Sequence, residues 1–276
     1  MLTGEDGRRV RSPRNGGPRD PPLDRSIAWQ EDAVGTDPLP LDAATCAALA
    51  QVTTATLTTV LLKKGLRNTW LRGARALAPT TPRRVGRAFT LRFVPAREDL
   101  ATPASWGAPI STRAAIEAMP ADCIAVADAM GVTHAGIFGD ILCARMRQRC
   151  VAGLVTDGVI RDLAGVLETG LPVWCQGTAA PASVAALTFV GWQEPIACGG
   201  VAVFPNDVVV ADGDGAVIIP AALLADVIPA ALEQERLEAW IIGEVRAGTP
   251  LPGLYPPDDA ATARYRAWTR ANPPPQ

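Results

Sequence analysis

The stretch GDILCARMRQRCVAGLVTDGVIRDLAGV, residues 139–166, decides the fold. Its pattern predicts three successive elements: a helix over 140–149, a buried strand over 151–156 and a second helix over 161–169. Asp140 begins the first helix, and Arg161 and Asp162 begin the second. Because both positions are strand-to-helix junctions, the stretch can bring two carboxylates and a guanidinium to one edge of a sheet.

Alternating strands and helices surround this stretch. A strand precedes it at 122–129 and another follows it at 171–177, and this alternation predicts parallel strands joined by crossovers. The other predicted elements are a helix over 42–65, a strand over 83–95, a helix over 112–119, β segments over 186–192, 199–204, 207–212 and 215–220, and a helix over 221–246. We therefore expect an α/β protein, a single β/β/α domain with a mixed, partly parallel central sheet.

The two ends of the chain differ from its centre in composition. Residues 1–38 interleave arginines with prolines and glycines, which predicts a disordered N-terminal arm. An RNA-binding arm is one interpretation, and a solvated tail or a start codon assigned too early is the other, favoured because acidic residues cancel the charge. The domain is expected over 39–248. A proline-rich tail over 249–276 is expected to be loose or draped on a neighbouring molecule.

Composition excludes several classes of protein. The 276 residues carry a net charge of −2, so no overall basic field favours nucleic acid. No apolar run is long enough for a membrane helix, and the first residues lack the apolar core of a secretory signal. Six cysteines without CxxC spacing are expected to be free thiols in a reducing compartment, which predicts a cytoplasmic protein.

Gly139 and Asp140 are candidate ligand-binding residues at the start of a helix. Backbone N–H groups there lack intrahelical partners and carry partial positive charge, so a substrate carboxylate or phosphate can bind to them. Gly136 and Gly139 would let a ligand approach the backbone closely. The competing interpretation is that Asp140 only caps its helix.

Arg161 and Asp162 are the second candidate pair. An arginine can form a fork of hydrogen bonds to a carboxylate or an enolate, and an aspartate can hold a hard cation such as Mg²⁺ with waters in the other positions. The competing interpretation makes Asp162 a helix cap and Arg161 a member of a surface ion pair. Asp157 just upstream is expected to be a turn residue.

Two other features are weaker candidates. His134, the one histidine, lies in a glycine-containing loop and has no nucleophile motif beside it. Asp212 and Asp214 lie in a DGDG segment that resembles a cation-binding loop but is first of all a hairpin turn.

The segment 139–162 resembles the core of the RraA-like proteins. These include the class II 4-hydroxy-4-methyl-2-oxoglutarate / 4-carboxy-4-hydroxy-2-oxoadipate aldolases and the regulator of ribonuclease activity. Their aldolase signature is Asp, any twenty residues, then Arg-Asp, which Asp140, Arg161 and Asp162 satisfy. The segment 201–220 also resembles the family's closing β segment, and the similarity extends over about 42–245.

This resemblance implies a swivelling-type β/β/α fold, assembled as a homotrimer or a hexamer with sites between subunits. It implies that Asp162 binds Mg²⁺ or Mn²⁺, mostly through waters, and that Arg161 holds the oxo-acid and stabilises an enolate. It implies that Asp140 positions a proton-relaying water. The backbone that would bind a pyruvyl carboxylate is that of Gly139, Asp140, Ile141 and Leu142. A glutamate of the last helix could complete the metal's outer shell, with Glu233, Glu235 and Glu238 as the candidates.

Three functions compete on these grounds. The leading one is a metal-dependent lyase that cleaves 4-hydroxy-2-oxo acids to pyruvate or decarboxylates oxaloacetate. The second is a protein-binding regulator of an RNA-degrading enzyme, without catalysis. The third is phosphate transfer through His134, from a faint similarity to phosphohistidine swivelling domains. The chain departs from the RraA-like pattern at TTVLLKKG, residues 58–65, where a Ser-Asp pair is usual, and at Asn206, where a glycine is usual.

Overall fold

The computed structural model describes residues 41–79 and 81–273, so the arm expected over 1–38 lies outside the described residues. The strands are β1 (Arg75–Ala76), β2 (Arg84–Pro95), β3 (Ile124–Asp128), β4 (Gly153–Thr156), β5 (Val173–Cys175), β6 (Leu187–Trp192), β7 (Val208–Asp212) and β8 (Gly215–Ile219). The helices are α1 (Ala43–Leu49), α2 (Thr54–Lys63), α3 (Thr112–Ala118), α4 (Asp140–Gln148), α5 (Leu163–Glu168), α6 (Leu224–Arg246) and α7 (Asp259–Ala271).

The long strand β2 is the centre of the sheet. The strand order is β1-β5-β4-β3-β2-β7-β8, and β2 to β5 run parallel to one another. The first half of β2 pairs antiparallel with β7, and its second half pairs antiparallel with β6. The predicted α/β fold with a mixed, partly parallel sheet is therefore confirmed.

Helices cover the sheet in two separate layers. Side chains of α3, α4 and α5 pack with those of β2 to β5 in one buried cluster that includes Phe89, Leu91, Ile116, Met146 and Val166. Helices α1, α2 and α6 pack on the β7–β8 hairpin in another, which includes Leu57, Leu61, Val208, Ile219 and Val227. The first layer places the beginnings of α4 and α5 at the carboxyl ends of the parallel strands.

The prediction of a single helix over 42–65 is wrong. The chain turns between α1 and α2, so two separate helices form. Asp42 caps α1 by accepting the N–H of Thr45, and Thr53 caps α2 by accepting the N–H of Thr56. Glu235 of α6 accepts both the N–H and the hydroxyl of Thr53, at 2.6 and 2.8 Å. These bonds from a distant helix stabilise the break.

The prediction of a β segment over 199–204 is also wrong. Gly199 and Gly200 have φ angles of +56° and +73°, which turn the chain out of the extended conformation. Only an isolated bridge between Ile196 and Val203 remains among the described residues of this segment. The other expected β segments, and the helix after them, are present.

No single helix in the described ranges is long and apolar enough to cross a membrane. The pair α1 and α2 reaches the necessary length and composition only when the two are taken together, and they are bent by 97°.

The expectation of a loose C-terminal tail is wrong over most of its length. Asp258 caps α7 by accepting the N–H of Ala261, and the helix packs against α6 of the same chain. Tyr265 lies between Trp240 and Trp268, with ring centroids at 5.5 and 6.1 Å. The chain therefore carries a small second core at its C-terminal end, to which Leu254 also contributes.

We expect Leu254→Ala to lower the free energy of unfolding by about 3 kcal/mol, because Leu254 is 1% exposed and its loss leaves a cavity in this second core. Leu251→Ala is the matched control, since Leu251 lies in the same loop and is 55% exposed. It should change stability by no more than about 0.5 kcal/mol. Chemical denaturation of both variants measures the difference, and equal effects would mean that this core does not stabilise the protein.

A pH effect on stability follows from Asp207, which holds the turn before β7. Its carboxylate accepts the N–H groups of Phe204 and Ala221, and burial raises its pKa to about 6. An aspartate in the unfolded chain has a pKa of about 3.9, so the folded state binds more protons between these values. The contribution of Asp207 to the free energy of unfolding therefore falls by about 2 kcal/mol as pH rises from 4 to 6.

Asp207→Asn should remove this dependence, because the amide does not titrate. We expect the unfolding free energy of the variant to change less between pH 4 and pH 7 than that of the wild type. The dependence of the unfolding free energy on pH is compared, and not its value at one pH. The amide offers one acceptor oxygen in place of two, which lowers the stability of the variant at every pH. Parallel curves would show that Asp207 is not the group responsible.

Candidate functional site

The two halves of the predicted site meet at the carboxyl edge of the parallel strands. The chain after β3 lies beside the chain after β4, where the Ile137 N–H bonds to the Val159 carbonyl and the Arg161 N–H to the Phe138 carbonyl, both at 2.9 Å. These bonds bring Gly139 and Asp140 next to Arg161 and Asp162. The structure therefore brings together the predicted site residues on either side of the twenty-residue spacing.

Two glycines permit this close approach. A β-carbon on Gly136 would lie 2.7 Å from the Arg161 nitrogen, and one on Gly139 would lie 2.6 Å from the Asp162 Oδ2 atom. Both distances are shorter than side chains tolerate. Gly139 thus leaves the space that the Asp162 carboxylate occupies.

Asp162 does not cap its helix through its side chain. The residue has φ +55° and ψ +49°, in the left-handed region, and its carboxylate makes no capping bond to α5. Oδ2 instead accepts a hydrogen bond from Nε of Arg161 at 2.9 Å. Asp162 thus occupies the cap position of α5, as the competing interpretation expected, but its carboxylate does not act as the cap. The expected ion pair is present and joins Arg161 to its own neighbour.

Asp140 is the first residue of α4 and not its cap, which is Gly139. Its Oδ1 atom accepts the N–H of Ile141 at 2.7 Å, so the carboxylate does satisfy one donor of the first turn. A β-carbon on Gly165 would lie 2.7 Å from the Asp140 β-carbon. The contact with Gly165 fixes Asp140 against α5, beside the second candidate pair.

The site is accessible to a ligand. The side chains of Arg161 and Asp162 are 37% and 43% exposed. Large apolar side chains around them are also exposed: Ile141 by 78%, Leu163 by 42% and Leu167 by 47%. A charged pair thus lies among uncovered apolar groups.

The residues present fit a hard cation that keeps most of its waters. The Asp162 carboxylate is open to solvent and lies in the space left by Gly139. No group of three His, Cys, Asp or Glu side chains within residues 41–79 and 81–273 could hold a metal. Mg²⁺ is commonly held by one or two carboxylates and several waters, so this donor set suits Mg²⁺ or Mn²⁺ better than a protein-enclosed cation.

Asp157 is a buried structural residue, as expected for a turn after β4. Its two carboxylate oxygens accept the N–H groups of Ala129 and Gly199, at 2.8 and 3.0 Å, and burial raises its pKa. Asp128, at the end of β3, accepts the N–H groups of Met130 and Ala197. These two carboxylates therefore hold backbone N–H groups of the loops around Met130, Ala197 and Gly199.

A segment that the sequence did not single out supports both halves of the site. Residues 177–182, which we call the crossing segment, run from β5 across the carboxyl edge. Ile160 donates to the Gly177 carbonyl and accepts from Ala179, and Gly136 donates to the Pro181 carbonyl at 2.8 Å. The sequence placed Gly177 at the end of the strand expected over 171–177, whereas β5 ends at Cys175 and Gly177 begins the crossing segment.

The remaining candidates lie elsewhere or have other partners. His134 is exposed in its loop. Asp212 is buried and accepts the N–H and hydroxyl of Thr54, so it is part of the hairpin and its packing. Glu233 accepts from Tyr265, Glu235 from Thr53, and Glu238 from Thr56 and Gln234, all within the chain.

The buried cysteines are unsuited to act as nucleophiles. The six cysteines are free, as expected. Burial raises the pKa of Cys123 and of Cys143 to about 12 and raises the pKa of Cys175 and Cys198 as well. These thiols are protonated at neutral pH and are poor nucleophiles.

Comparison with known proteins adds to this geometry. Residues 50–218, which contain β1 to β7 and both halves of the candidate site, match the model of the family described as RraA-like, Aldolase/RraA. The chain belongs to the RraA-like family. The resemblance seen in the sequence is thereby confirmed.

One curated RraA-like relative is a Halalkalibacterium halodurans protein provisionally named as a 4-hydroxy-4-methyl-2-oxoglutarate aldolase. It is 38% identical over 109 residues, which cover 39% of this chain and 50% of that protein. The match therefore spans half the length of the relative. Legionella pneumophila protein DlpA is 26% identical over 60% of this chain and 26% of its own length.

Solved structures show the same fold. An RraA-family protein of Streptomyces coelicolor, RraAS2, described as an unusual member of the RNase ES inhibitor family, is 34% identical with a TM-score of 0.66. The superposition covers 73% of this chain and 97% of that one. An uncharacterized Pseudomonas syringae protein gives a TM-score of 0.67 at 25% identity, over 79% of this chain and 99% of that one.

Proposed function

We propose that this RraA-like protein is a divalent-metal-dependent lyase acting on 2-oxo acids. It would cleave a 4-hydroxy-2-oxo acid to pyruvate and a second carbonyl compound, and it would decarboxylate oxaloacetate by the same route. The observation that carries the proposal is the meeting of Gly139 and Asp140 with Arg161 and Asp162 at an open sheet edge. The name of the Halalkalibacterium halodurans relative supports it.

Arg161 would bind the oxo-acid and stabilise negative charge. Its Nε atom donates to Asp162, so its two terminal nitrogens are the donors that would bind a ligand. Breaking the C3–C4 bond leaves the electron pair on the pyruvyl fragment as an enolate, which a fixed guanidinium stabilises. Asp162 would hold Mg²⁺ or Mn²⁺, which when bound supplies a Lewis acid for the oxo-acid oxygens.

The start of α4 would bind the substrate carboxylate. Three backbone N–H groups belong to this turn, those of Asp140, Ile141 and Leu142. The Ile141 N–H donates to the Asp140 carboxylate in this structure. A carboxylate ligand at Ile141 would displace that side chain. Asp140 would then be free to hold the water that takes the proton from the 4-hydroxyl group and returns a proton to C3.

We propose further that the protein assembles as a homotrimer or hexamer in the cytoplasm. The exposed Ile141, Leu163 and Leu167 around the charged pair support a second copy of the chain covering this edge. Such a copy would also exclude water from the enolate. The six free thiols support a reducing compartment.

A second candidate is a protein-binding regulator of an RNA-degrading enzyme. The likeness to RraAS2, described as a member of an RNase inhibitor family, favours it. This function needs neither a metal nor Arg161 and Asp162. Loss of those residues therefore separates the two candidates.

The deciding experiment measures pyruvate release from 4-hydroxy-4-methyl-2-oxoglutarate and from oxaloacetate, with Mg²⁺ and with EDTA. We expect release with Mg²⁺ and none with EDTA, restored by added Mg²⁺. Release unaffected by EDTA would refute the metal dependence. No release from either compound would refute the lyase for these substrates, and a ribonuclease pull-down would then test the regulator.

A further inference from the structure

A cleft of about 410 Å³ lies between strand β6 and the segment 96–111, which connects β2 to α3. One wall contains Leu100, Trp106 and Ile110, and the other contains Val184, Leu187 and Phe189. Its volume is within the range of small-molecule sites, roughly 300–1,000 Å³. The cleft is thus large enough for a phenyl or branched alkyl group, and none of its lining residues belongs to the candidate site.

The cleft presents carbon surface to a ligand. Every described residue that lines it is uncharged. Its hydroxyl groups largely serve the backbone: Ser105 donates to the Thr102 carbonyl, Ser111 accepts from Ala114, and Thr188 accepts from Arg97. The guanidinium of Arg113 lies over the Trp106 ring, 5.0 Å from its centroid, and orients that wall. An uncharged apolar group is therefore the ligand that these walls suit.

The cleft lies on the same sheet edge as the candidate site. Leu187 pairs with Pro95, the last residue of β2, while Gly139 and Arg161 follow the carboxyl ends of β3 and β4. Because β6, β2, β3 and β4 are successive neighbours in the sheet, the cleft wall on β6 lies about three strand spacings from the end of β4, on the order of 15 Å. Ala182, two residues before Val184, bridges to Gly136, which contacts Arg161.

We propose that this cleft receives an apolar substituent at the far end of the 2-oxo acid whose head binds at Arg161. The preferred substrates then carry a phenyl-sized or branched alkyl group beyond C4, and this end is recognised by Trp106, Val184 and Phe189. The inference rests on the proposed function, since it assumes an oxo-acid head at Arg161. Substrate specificity would then be determined by the segment 96–111 and by β6.

A pair of non-cleavable probes tests the cleft without requiring turnover. 2-Oxo-4-phenylbutanoate lacks the 4-hydroxyl group that retro-aldol cleavage needs, and 2-oxobutanoate has the same head without the ring. Calorimetry on the full chain with Mg²⁺ should show the phenyl compound binding at least about tenfold more tightly, from burial of the ring. Arg161→Ala should weaken the binding of both compounds.

Variants of the cleft locate this preference. Val184→Phe fills the cleft and should remove the tenfold advantage of the phenyl compound. The affinity for 2-oxobutanoate should stay unchanged, which also shows that the variant is folded. Leu100→Glu, at an exposed position, is a second variant with the same expected result. Val245→Phe, on the exposed face of α6, is the matched control and should keep the advantage.

Three results would overturn the inference. They are an equal affinity for the two probes, an advantage that survives both cleft variants, and a phenyl affinity indifferent to Arg161→Ala. These results are distinct from failure of the lyase, which pyruvate release from 4-hydroxy-4-methyl-2-oxoglutarate decides separately.

Discussion

Asp162→Asn is expected to abolish metal-dependent pyruvate release, lowering kcat/KM by at least about 10³-fold. The amide has almost the same shape as the carboxylate but no charge to hold a divalent cation. Asn tolerates the left-handed conformation that Asp162 adopts at φ +55°, so the backbone is not strained. Titration of the apoprotein with Mg²⁺ or Mn²⁺ should show the matching loss of metal binding.

The choice of Asn matters because Ala at this position would confound two effects. A left-handed alanine costs about 1–2 kcal/mol, whereas the Arg161–Asp162 pair is half exposed and contributes only about 0–1 kcal/mol. Asp162→Gly removes the carboxylate while relaxing the backbone, and serves as the second variant. Full metal-dependent activity in both variants would show that Asp162 is not the metal ligand.

Arg161→Lys is expected to lower kcat/KM by about 10²- to 10³-fold while the charge is retained. Lysine carries a compact ammonium group and cannot form the planar fork to a carboxylate or an enolate. It also lacks the Nε atom that bonds to Asp162, so its charge is no longer held beside the metal ligand. Steady-state kinetics should show a loss in kcat as well as a rise in KM.

The matched control for this substitution is Arg147→Lys, since Arg147 lies exposed on α4, away from the beginning of the helix. It should leave kcat/KM unchanged. A wild-type rate in Arg161→Lys would mean that charge alone is enough. The guanidinium would then have no specific role in binding the oxo-acid.

Much of the fold and the site could be predicted from the sequence because the decisive pattern is local. Alternation of strands and helices over 122–177 leads to parallel strands, and parallel strands place their carboxyl ends at one edge. Asp140 and Arg161 lie in the chain segments that follow two such strands, β3 and β4. Their meeting therefore needed no knowledge of distant contacts.

Features that depend on distant partners could not be predicted. The break between α1 and α2 is stabilised by Glu235, and the Asp162 carboxylate occupies a space that only Gly139 leaves open. Helix α7 was not predicted although the sequence contains a signal for it. Asp258 is a capping residue, and Ala261, Tyr265 and Trp268 lie on one face, but the surrounding prolines obscured the pattern.

The crossing segment 177–182 has a consequence for the motions of this edge. It is hydrogen-bonded to Ile160 on one side and to Gly136 on the other, so the loops that lead to Arg161 and to Gly139 share one support. Opening either loop requires breaking bonds that also hold its neighbour. The amide hydrogens of Gly136, Ile160 and Ala179 should therefore show similar protection factors against exchange with solvent deuterium, as a single cooperative unit.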